Sequence, residues 1–316
     1  MKQLLTLSIV VFLTIQSSWG QVALTPPMGW NTWNYFGKND INEQIVRECI
    51  DAIIENHLKD YGYSYVIVDG GWRTSKLDTN GKLIPDSTKF PNGIKSLVDY
   101  AHSKGLKFGL HTVPGTHDCG GDKVGGYGLE EIHIQQFIDW GLDFIKVDRC
   151  RLELPGCEEC WTEDTIEKVY RKWRSILDNK GSNMILSISA YKFRPWNPDV
   201  SNLSRTTSDL SARVSQGAFF SSEERGKQPR YALSVLDVAD INNESAQFAK
   251  PGYWNDPDIL VTGDNGLSFI EQRSHFALWC IMSAPLILGN DVRKISDKEK
   301  EIILNKEAIS INREPT

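Results

Sequence analysis

Short apolar runs alternate with longer amphipathic runs along this 316-residue chain, and that alternation limits its possible folds more than any other feature. The apolar runs predict eight strands, at 27–33, 63–68, 106–113, 144–148, 184–189, 203–209, 253–259 and 285–289. Helices are predicted between them at 42–58, 93–104, 129–140, 163–179, 269–282 and 297–305, and 74–92 is predicted to be rich in loops. Strands that alternate with helices indicate βα units and a parallel sheet.

Eight such units in a chain of this length predict an α/β fold, a (β/α)8 TIM barrel over residues 21–316. A doubly wound open sheet is the rival. That fold would more often carry a glycine fingerprint after its first strand, and the sequence has none. We therefore expect the polar residues that follow the strands to meet at one end of a barrel.

The first twenty residues predict a secretory signal peptide. Lys2 supplies the positive start, the apolar run 4–15 is too short to span a bilayer, and Ser18 and Gly20 are small residues placed for cleavage. An uncleaved anchor is the alternative. The formal net charge of -6 gives no sign of nucleic-acid or membrane binding. A secreted or periplasmic protein is expected, without a membrane contact in its mature form.

The six cysteines fit an exported protein. Cys157 and Cys160 form a CxxC pair, which indicates either a local disulfide or a redox pair. Cys49 and Cys280 lie in helix-like segments and are predicted to be buried free thiols. No second CxxC or His pair stands at zinc-ligand spacing, so neither a metal nor another cofactor is expected.

The predicted strand 144–148 carries two charges, Lys146 and Asp148, on one face and two residues apart. A charged pair in a buried strand costs stability unless the charges are paired or used. A structural ion pair is one interpretation. A catalytic role is favoured, because active sites lie at the carboxyl ends of the strands in such barrels.

Polar or aromatic side chains also follow other strands, namely Trp33, Asp69, His111, Arg205, Asp209, Asp256 and Asp258. The chain has no Gly-x-Ser-x-Gly elbow and no phosphate loop. Several carboxylates with cations and aromatic rings suit cleavage of a glycosidic bond, in which one carboxylate attacks the sugar and another protonates the leaving oxygen.

Six segments, in order along the chain, resemble glycoside hydrolase family 27, the α-galactosidase and α-N-acetylgalactosaminidase family. They are Thr-Pro-Pro-Met-Gly-Trp-Asn-Thr-Trp at 25–33, Val-Asp at 68–69, Lys-Val-Asp-Arg-Cys at 146–150, Arg-Thr-Thr-Ser-Asp at 205–209, Trp-Asn-Asp-Pro-Asp at 254–258 and Met-Ser-Ala-Pro-Leu at 282–286. The resemblance implies a retaining double displacement, with Asp148 as the nucleophile and Asp209 as the general acid and base.

The resemblance also implies the residues that bind the sugar. Lys146 would hydrogen-bond the sugar and favour an ionised Asp148, and Arg205 would reach the 2-position. Trp33, Asp69, His111 and Asp258 would contact the sugar, and Asp256 would brace its own loop. A disulfide between Cys119 and Cys150 is implied as well.

Each of these residues has a structural alternative. Trp33 could be a core residue, Asp69 a turn carboxylate and Asp209 a helix N-cap. Arg205 could form a surface bridge to Asp209 that contributes little stability.

Three sugar-reading positions depart from the family pattern, and Val147 and Arg149 depart from it around the nucleophile. Gly70 stands where a second Asp is usual, His111 where a Tyr is usual, and Ala190 where a Glu or Ser reads the 2-hydroxyl. Loss of a polar partner for a sugar hydroxyl changes specificity strongly. A β-L-arabinopyranoside, which lacks the 6-hydroxymethyl, would fit Gly70. The family's C-terminal β domain is expected to be absent or truncated here.

We therefore expect an exported exo-glycosidase that removes terminal α-D-galactosyl residues from an oligosaccharide or glycan and needs no cofactor. Related specificities, for β-L-arabinopyranosides, α-N-acetylgalactosaminides or α-glucans, are alternatives. A non-catalytic glycan-binding barrel and a metal-dependent hydrolase are the rivals from other classes. The sequence leaves the oligomeric state open.

Overall fold

The computed structural model describes residues 22–118, 123–149, 162–212, 233–263 and 266–314. The predicted signal peptide lies outside these residues. So do Cys119, Cys150, Cys157 and Cys160, and with them the predicted disulfide pairings. Across the described ranges, no helix is both long enough and apolar enough to cross a bilayer.

Eight strands form one parallel sheet in the order β10-β1-β2-β5-β6-β7-β8-β9. They are β1 (Met28–Asn31), β2 (Tyr65–Val68), β5 (Lys107–Thr112), β6 (Phe144–Asp148), β7 (Ile185–Ser189), β8 (Leu203–Arg205), β9 (Trp254–Asp256) and β10 (Leu286–Leu288). A parallel bridge joins Leu260, just after β9, to Leu288 of β10. The amide of Leu260 donates to the carbonyl of Ile287 at 2.8 Å. The sheet thus closes into the predicted (β/α)8 barrel.

Helices connect the strands on the outside of the barrel. They span Trp33–Asp40, Glu43–Glu55, Gly93–Ser103, Glu130–Trp140, Glu163–Asn179, Asn197–Val200, Val235–Asn243, Phe269–Ile281, Asp297–Ile303 and Lys306–Arg313, with 3-10 turns at Leu58–Tyr61, Ala246–Phe248 and Val292–Lys294. Several begin at a polar cap: Thr162 accepts from the amide of Thr165, and Ser268 forms a capping box with Glu271.

The alternation of side chains along each strand separates two apolar cores. One lies inside the barrel and is formed by Tyr65, Ile67, Phe144, Ile185, Leu203 and Ile287. The other lies between sheet and helices and includes Ile145 and Val147. Lys146 and Asp148 share the inner face with Phe144, so they lie above the inner apolar plug, towards the carboxyl ends of the strands.

The segment predicted to be rich in loops contains an antiparallel hairpin of β3 (Arg73–Leu77) and β4 (Leu83–Pro85). Gln136, in the helix Glu130–Trp140, accepts from the amide of Leu83 at 2.9 Å and donates to its carbonyl at 2.8 Å. This exchange of hydrogen bonds holds the hairpin against that helix. The turn of the hairpin carries a local signal that the prediction of loops overlooked, Asn80-Gly81, whose glycine has a φ of 79°.

Two predicted strands end earlier than expected. The predicted strand 203–209 ends at Arg205, and 253–259 ends at Asp256. Beyond those points the chain turns, and its polar side chains bond to one another across the barrel mouth. The prediction for Cys49 and Cys280 is confirmed, because both are buried free thiols.

Candidate functional site

Four ionisable side chains meet on the inner face at the carboxyl ends of β2, β5 and β6. Lys146 Nζ lies 2.8 Å from Asp69 Oδ2 and 3.7 Å from Asp148 Oδ2. His111 Nε2 lies 3.9 Å from a carboxylate oxygen of Asp69 and 3.9 Å from one of Asp148. All except Lys146 are almost fully buried. The register explains the meeting, because His111 pairs with Lys146 and both point into the barrel.

Burial and charge act in opposite directions on these groups. Burial alone would raise the pKa of Asp69, but the Lys146 charge and hydrogen bonds from Lys146 and the Gly70 amide hold that pKa well below its usual range. Burial would lower the pKa of Lys146, but Asp69 and Asp148 raise it. Burial lowers the pKa of His111, against the pull of both carboxylates. The cluster is therefore an ammonium ion with ionised Asp69 beside a neutral imidazole.

Asp69 is held rigidly by residues at the end of β1. Asn31 Nδ2 donates to Asp69 Oδ2 at 3.0 Å, and the Asp69 amide donates to Thr32 Oγ1 at 3.0 Å. The amide of Gly70 donates to Asp69 Oδ1 at 2.8 Å. Asp69 is therefore both a turn carboxylate, which was the structural alternative, and a member of the charged cluster.

A second cluster surrounds Arg205 at the end of β8. Arg205 Nη2 lies 2.9 Å from Asp258 Oδ2 and 3.3 Å from Asp209 Oδ1. Arg205 is 4% exposed, so the pair with Asp209 is not the surface bridge considered above. Asp209 is the most accessible of the three, since about a quarter of its side chain reaches solvent.

Asp258 is enclosed by donors. Its Oδ1 accepts from the amide of Ile259 at 2.7 Å, and its Oδ2 accepts from the amide of Leu210 at 2.8 Å. Its own amide donates to Asp256 Oδ1 at 2.9 Å. Burial raises the pKa of Asp258 to about 6; the Arg205 charge opposes that rise, and the carboxylates of Asp209 and Asp256 add to it. These contacts suit a residue that places Arg205 and the loop carrying Asp209.

Tyr191 belongs to the first cluster, although no pattern in the sequence had marked it as a site residue. Its hydroxyl donates to Asp148 Oδ1 at 2.7 Å. The available signal was position alone: Tyr191 follows β7 by two residues, and β7 pairs with the strand that carries Asp148.

The three sugar-reading residues that differ from the family pattern lie in different surroundings. A Cβ added to Gly70 would lie 3.3 Å from the Trp33 ring, so the half-buried indole borders the space that a side chain would occupy. His111 belongs to the charged cluster described above. Ala190 is 2% exposed and packs into the outer core, and Tyr191 is the residue of that turn that reaches the carboxylates.

Among the described residues, no group of three His, Cys, Asp or Glu side chains has the arrangement of a metal site. The arrangement at the barrel mouth is instead two carboxylates, Asp148 and Asp209, each next to a cation. Carboxylates in such pairs are suited to nucleophilic attack and to proton transfer.

Comparison with known proteins agrees with this geometry. The model of a family described as alpha galactosidase A matches residues 25–314. The chain belongs to glycoside hydrolase family 27. An alpha-galactosidase of Oryza sativa subsp. japonica is 35% identical over 293 residues, which are 92% of this chain. The chain spans only 64% of that relative, just under two thirds of its length.

Solved structures support the same family-27 barrel. Alpha-galactosidase I from Mortierella vinacea superimposes with a TM-score of 0.84 at 34% identity, covering 93% of this chain and 74% of that one. An alpha-galactosidase from Saccharomyces cerevisiae, solved with raffinose, gives a TM-score of 0.86 at 27% identity, covering 95% of this chain and 67% of that one. The barrel is thus the part that this chain shares with these family members.

Proposed function

We propose that this protein is a retaining exo-glycosidase of family 27 that hydrolyses terminal α-D-galactosyl residues of oligosaccharides and acts outside the cytoplasm. The observation that carries the proposal is that each proposed catalytic carboxylate at the barrel mouth lies beside a cation. Lys146 lies 3.7 Å from Asp148, and Arg205 lies 3.3 Å from Asp209. The choice of galactose as the sugar rests on the relatives, which are named alpha-galactosidase.

In the first step Asp148 attacks the anomeric carbon and the glycosidic C–O bond breaks. Asp209, the more exposed carboxyl, gives its proton to the leaving oxygen. Lys146 stabilises the negative charge of Asp148 from 3.7 Å, and Asp69 accepts from a sugar hydroxyl remote from the anomeric carbon. In the second step water attacks that carbon, its proton passes to Asp209, and Asp148 leaves as a carboxylate. Two inversions retain the configuration.

Arg205 and Trp33 complete the proposed sugar pocket. Arg205 offers guanidinium donors near the 2-position while Asp258 fixes its orientation at 2.9 Å. Trp33 offers a half-buried ring for stacking. His111 lies against the carboxylates as a neutral wall, able to donate or accept one hydrogen bond.

Azide rescue tests the two catalytic assignments together. In Asp148→Gly, azide enters the space left by the carboxylate and attacks an activated aryl α-galactoside once, so the glycosyl azide is inverted. The matched control is Asp209→Gly, in which Asp148 still forms the glycosyl-enzyme and azide displaces it, so the azide has retained configuration. Retained azide from Asp148→Gly, or full activity in that variant, would contradict the proposal.

Gly70 favours a second candidate, a β-L-arabinopyranosidase. Within the described part of the chain, the Trp33 ring supplies the neighbouring atoms within 4 Å of a Cβ placed at Gly70. A Cβ would meet that apolar ring, and Gly70 itself has no carboxylate for a 6-hydroxyl, so a sugar without the 6-hydroxymethyl loses no partner at this position. The kcat/KM values for aryl α-galactoside and aryl β-L-arabinopyranoside decide between the two.

A further inference from the structure

Tyr191 occupies a position set by the pairing of β6 with β7. Asp148 pairs with Ser189 in register, and the amide of Arg149 continues the ladder by donating to the Ser189 carbonyl at 2.9 Å. The chain leaves β7 immediately beyond this pair. Two residues later, the Tyr191 hydroxyl returns to Asp148 Oδ1 at 2.7 Å. The reacting carboxylate thus receives a hydrogen bond from the neighbouring strand end.

The backbone of Tyr191 adopts a conformation that a tyrosine rarely takes. Its φ is 61°, in the left-handed region that is strained for a non-glycine residue. Such a conformation persists only where surrounding contacts fix it. The Arg149 guanidinium lies 5.7 Å from the ring centroid of Tyr191, which holds the ring from one side.

Arg194 fixes the backbone of the same turn. Its Nη1 donates to the carbonyls of Ala190 at 3.0 Å and Lys192 at 3.1 Å, on either side of Tyr191. Its Nη2 donates to Glu163 at 3.3 Å, and the hydrogen bond from Arg194 lowers the pKa of Glu163 to about 2. Arg194 is 4% exposed, so the clamp is a buried part of the fold. Glu163 begins the helix that follows β6, and the clamp therefore ties the two loops together.

We propose that Tyr191 is a further catalytic residue of the reaction proposed above, and that Arg194 is the residue that positions it. The hydroxyl of Tyr191 holds Asp148 Oδ1, which leaves Oδ2, the oxygen near Lys146, to attack the anomeric carbon. In the glycosyl-enzyme, Oδ1 is the ester carbonyl oxygen and carries little charge.

The hydroxyl therefore acts differently in the two steps. In the first step Asp148 loses its charge, so the hydrogen bond is stronger before attack than in the transition state and gives no acceleration. In the second step water attacks, its proton passes to Asp209, and the electron pair of the breaking bond returns to Asp148. Charge then develops on an acceptor of Tyr191, and the hydrogen bond strengthens in the transition state. Tyr191 should therefore assist deglycosylation.

The test is the kinetics of Tyr191→Phe. An aryl α-galactoside and an aryl β-L-arabinopyranoside are first compared with the wild type, and the better substrate is then used for the variant. Loss of a hydrogen bond to a charged group in the transition state lowers the rate by about tenfold to hundredfold. We expect kcat to fall by that factor, KM to fall with it, and a pre-steady-state burst of phenol to appear because the glycosyl-enzyme accumulates. Tyr63→Phe is the matched control: its hydroxyl donates to the Ile303 carbonyl at 2.7 Å, away from the site.

The outcomes separate this inference from the proposed function. An active wild type with unchanged kcat in Tyr191→Phe would overturn the inference alone. A fall in kcat/KM equal to that in kcat, without a burst, would overturn it too, because the hydroxyl would then act in the first step. If the wild type cleaves neither the aryl α-galactoside nor the aryl β-L-arabinopyranoside, the proposed function and the catalytic role of Tyr191 are both overturned. Infrared difference spectra of the Asp148 carboxylate, assigned with Asp148→Asn, would still test the contact: Tyr191→Phe should shift its stretching frequency, and no shift would overturn the contact.

A double-mutant cycle tests the positioning role of Arg194. Arg194→Lys keeps a cation beside Glu163 but loses the paired hydrogen bonds to the carbonyls of Ala190 and Lys192. Because Tyr191 is then less well positioned, we expect kcat to fall by about tenfold. In the Tyr191→Phe background the same change should lower kcat by less than about twofold, since the hydroxyl that it positions is already absent. Equal effects in both backgrounds would mean that Arg194 acts through general structure.

Discussion

Lys146 Nζ lies 2.8 Å from Asp69 Oδ2, an ion pair that crosses the intervening strand β5. The two residues are 77 positions apart in the sequence. Lys146 thus bonds most closely to a carboxylate from a different strand, and its second carboxylate, on its own strand, is 3.7 Å away. The cation is shared between a fixed carboxylate and the carboxylate proposed to react.

The first prediction concerns the stability of this pair. Asp69→Asn should lower the free energy of unfolding by about 3 kcal/mol, because removal of one partner leaves a largely buried cation without its nearest counter-charge. Urea denaturation measures the change. The control is Asp99→Asn in the exposed pair of Lys95 and Asp99, which has a similarly short distance of 2.7 Å. That variant should change stability by less than about 1 kcal/mol; equal losses would show that burial adds nothing.

The second prediction concerns the pH dependence contributed by Asp258. Its folded pKa of about 6 lies above the ordinary 3.8, so the folded state binds this proton more tightly than the unfolded state. The stabilisation is complete below pH 3.8 and is lost as pH rises through 6, by about 3 kcal/mol in all.

Asp258→Asn removes this titration. The test compares how steeply the free energy of unfolding changes with pH in the wild type and in this variant. Between pH 4 and 6, wild-type stability should fall relative to that of Asp258→Asn, whatever the constant offset between the two proteins. Urea denaturation at several pH values gives both curves. Parallel curves would show that Asp258 is ionised throughout and that the Arg205 charge outweighs burial.

The third prediction concerns acid sensitivity from a buried histidine outside the site. Burial lowers the pKa of His275 to about 3, and its Nε2 accepts from the Val261 amide at 3.0 Å. Its contribution is therefore complete above pH 6.5 and is lost as pH falls towards 3. His275→Gln should reduce the acid slope of unfolding free energy by about 1.4 kcal/mol per pH unit below pH 6.

His57→Gln is the matched control for that measurement, because about three quarters of the His57 side chain is exposed. It should leave the slope unchanged. His133, whose pKa burial lowers to about 4, keeps part of the acid slope in both variants. A slope that survives intact in His275→Gln would show that His275 protonates without unfolding the barrel.

The fourth prediction concerns sugar specificity at Gly70. Gly70→Asp would place a carboxylate beside Trp33, where a 6-hydroxyl could donate to it, so the ratio of kcat/KM for α-galactoside over β-L-arabinopyranoside should rise about tenfold or more. Gly70→Ala is the control: its Cβ meets the same ring at 3.3 Å but offers no acceptor. If Ala changes the ratio as much as Asp, displacement of Trp33 is the cause.

Much of the fold followed from sequence pattern. The strand–helix alternation predicted the barrel, and the segment 144–148 has the predicted bounds. Strands such as Phe144–Asp148 can be recognised from the sequence, because both of their faces are buried and their side chains alternate strictly. The hairpin from Arg73 to Pro85 was missed although its turn carries a local signal, Asn80-Gly81, and the Asp78 carboxylate accepts from the amides of Asn80 and Lys82 at 2.8 Å.

The candidate site was predictable in its members but not in its contacts. Asp69, His111, Lys146, Asp148, Arg205, Asp209 and Asp258 were selected from strand ends, and the structure brings them to one end of the barrel in two adjoining clusters. Tyr191 was not selected, since nothing in its neighbours distinguishes it from a core aromatic. Its importance comes from a left-handed backbone and from Arg194, both of which require coordinates.

The sequence by itself determined which side chains point into the barrel and at which end, because direction along a strand depends only on alternation and on chain order. Only the tertiary structure decided which partner each charge takes. Lys146 bonds Asp69, Arg205 bonds Asp258, and Tyr191 bonds Asp148. Lys146 has carboxylates at 2.8 and 3.7 Å, and Arg205 has them at 2.9 and 3.3 Å. These differences in distance, and the degree of burial, arise from the packing of strands far apart in the chain.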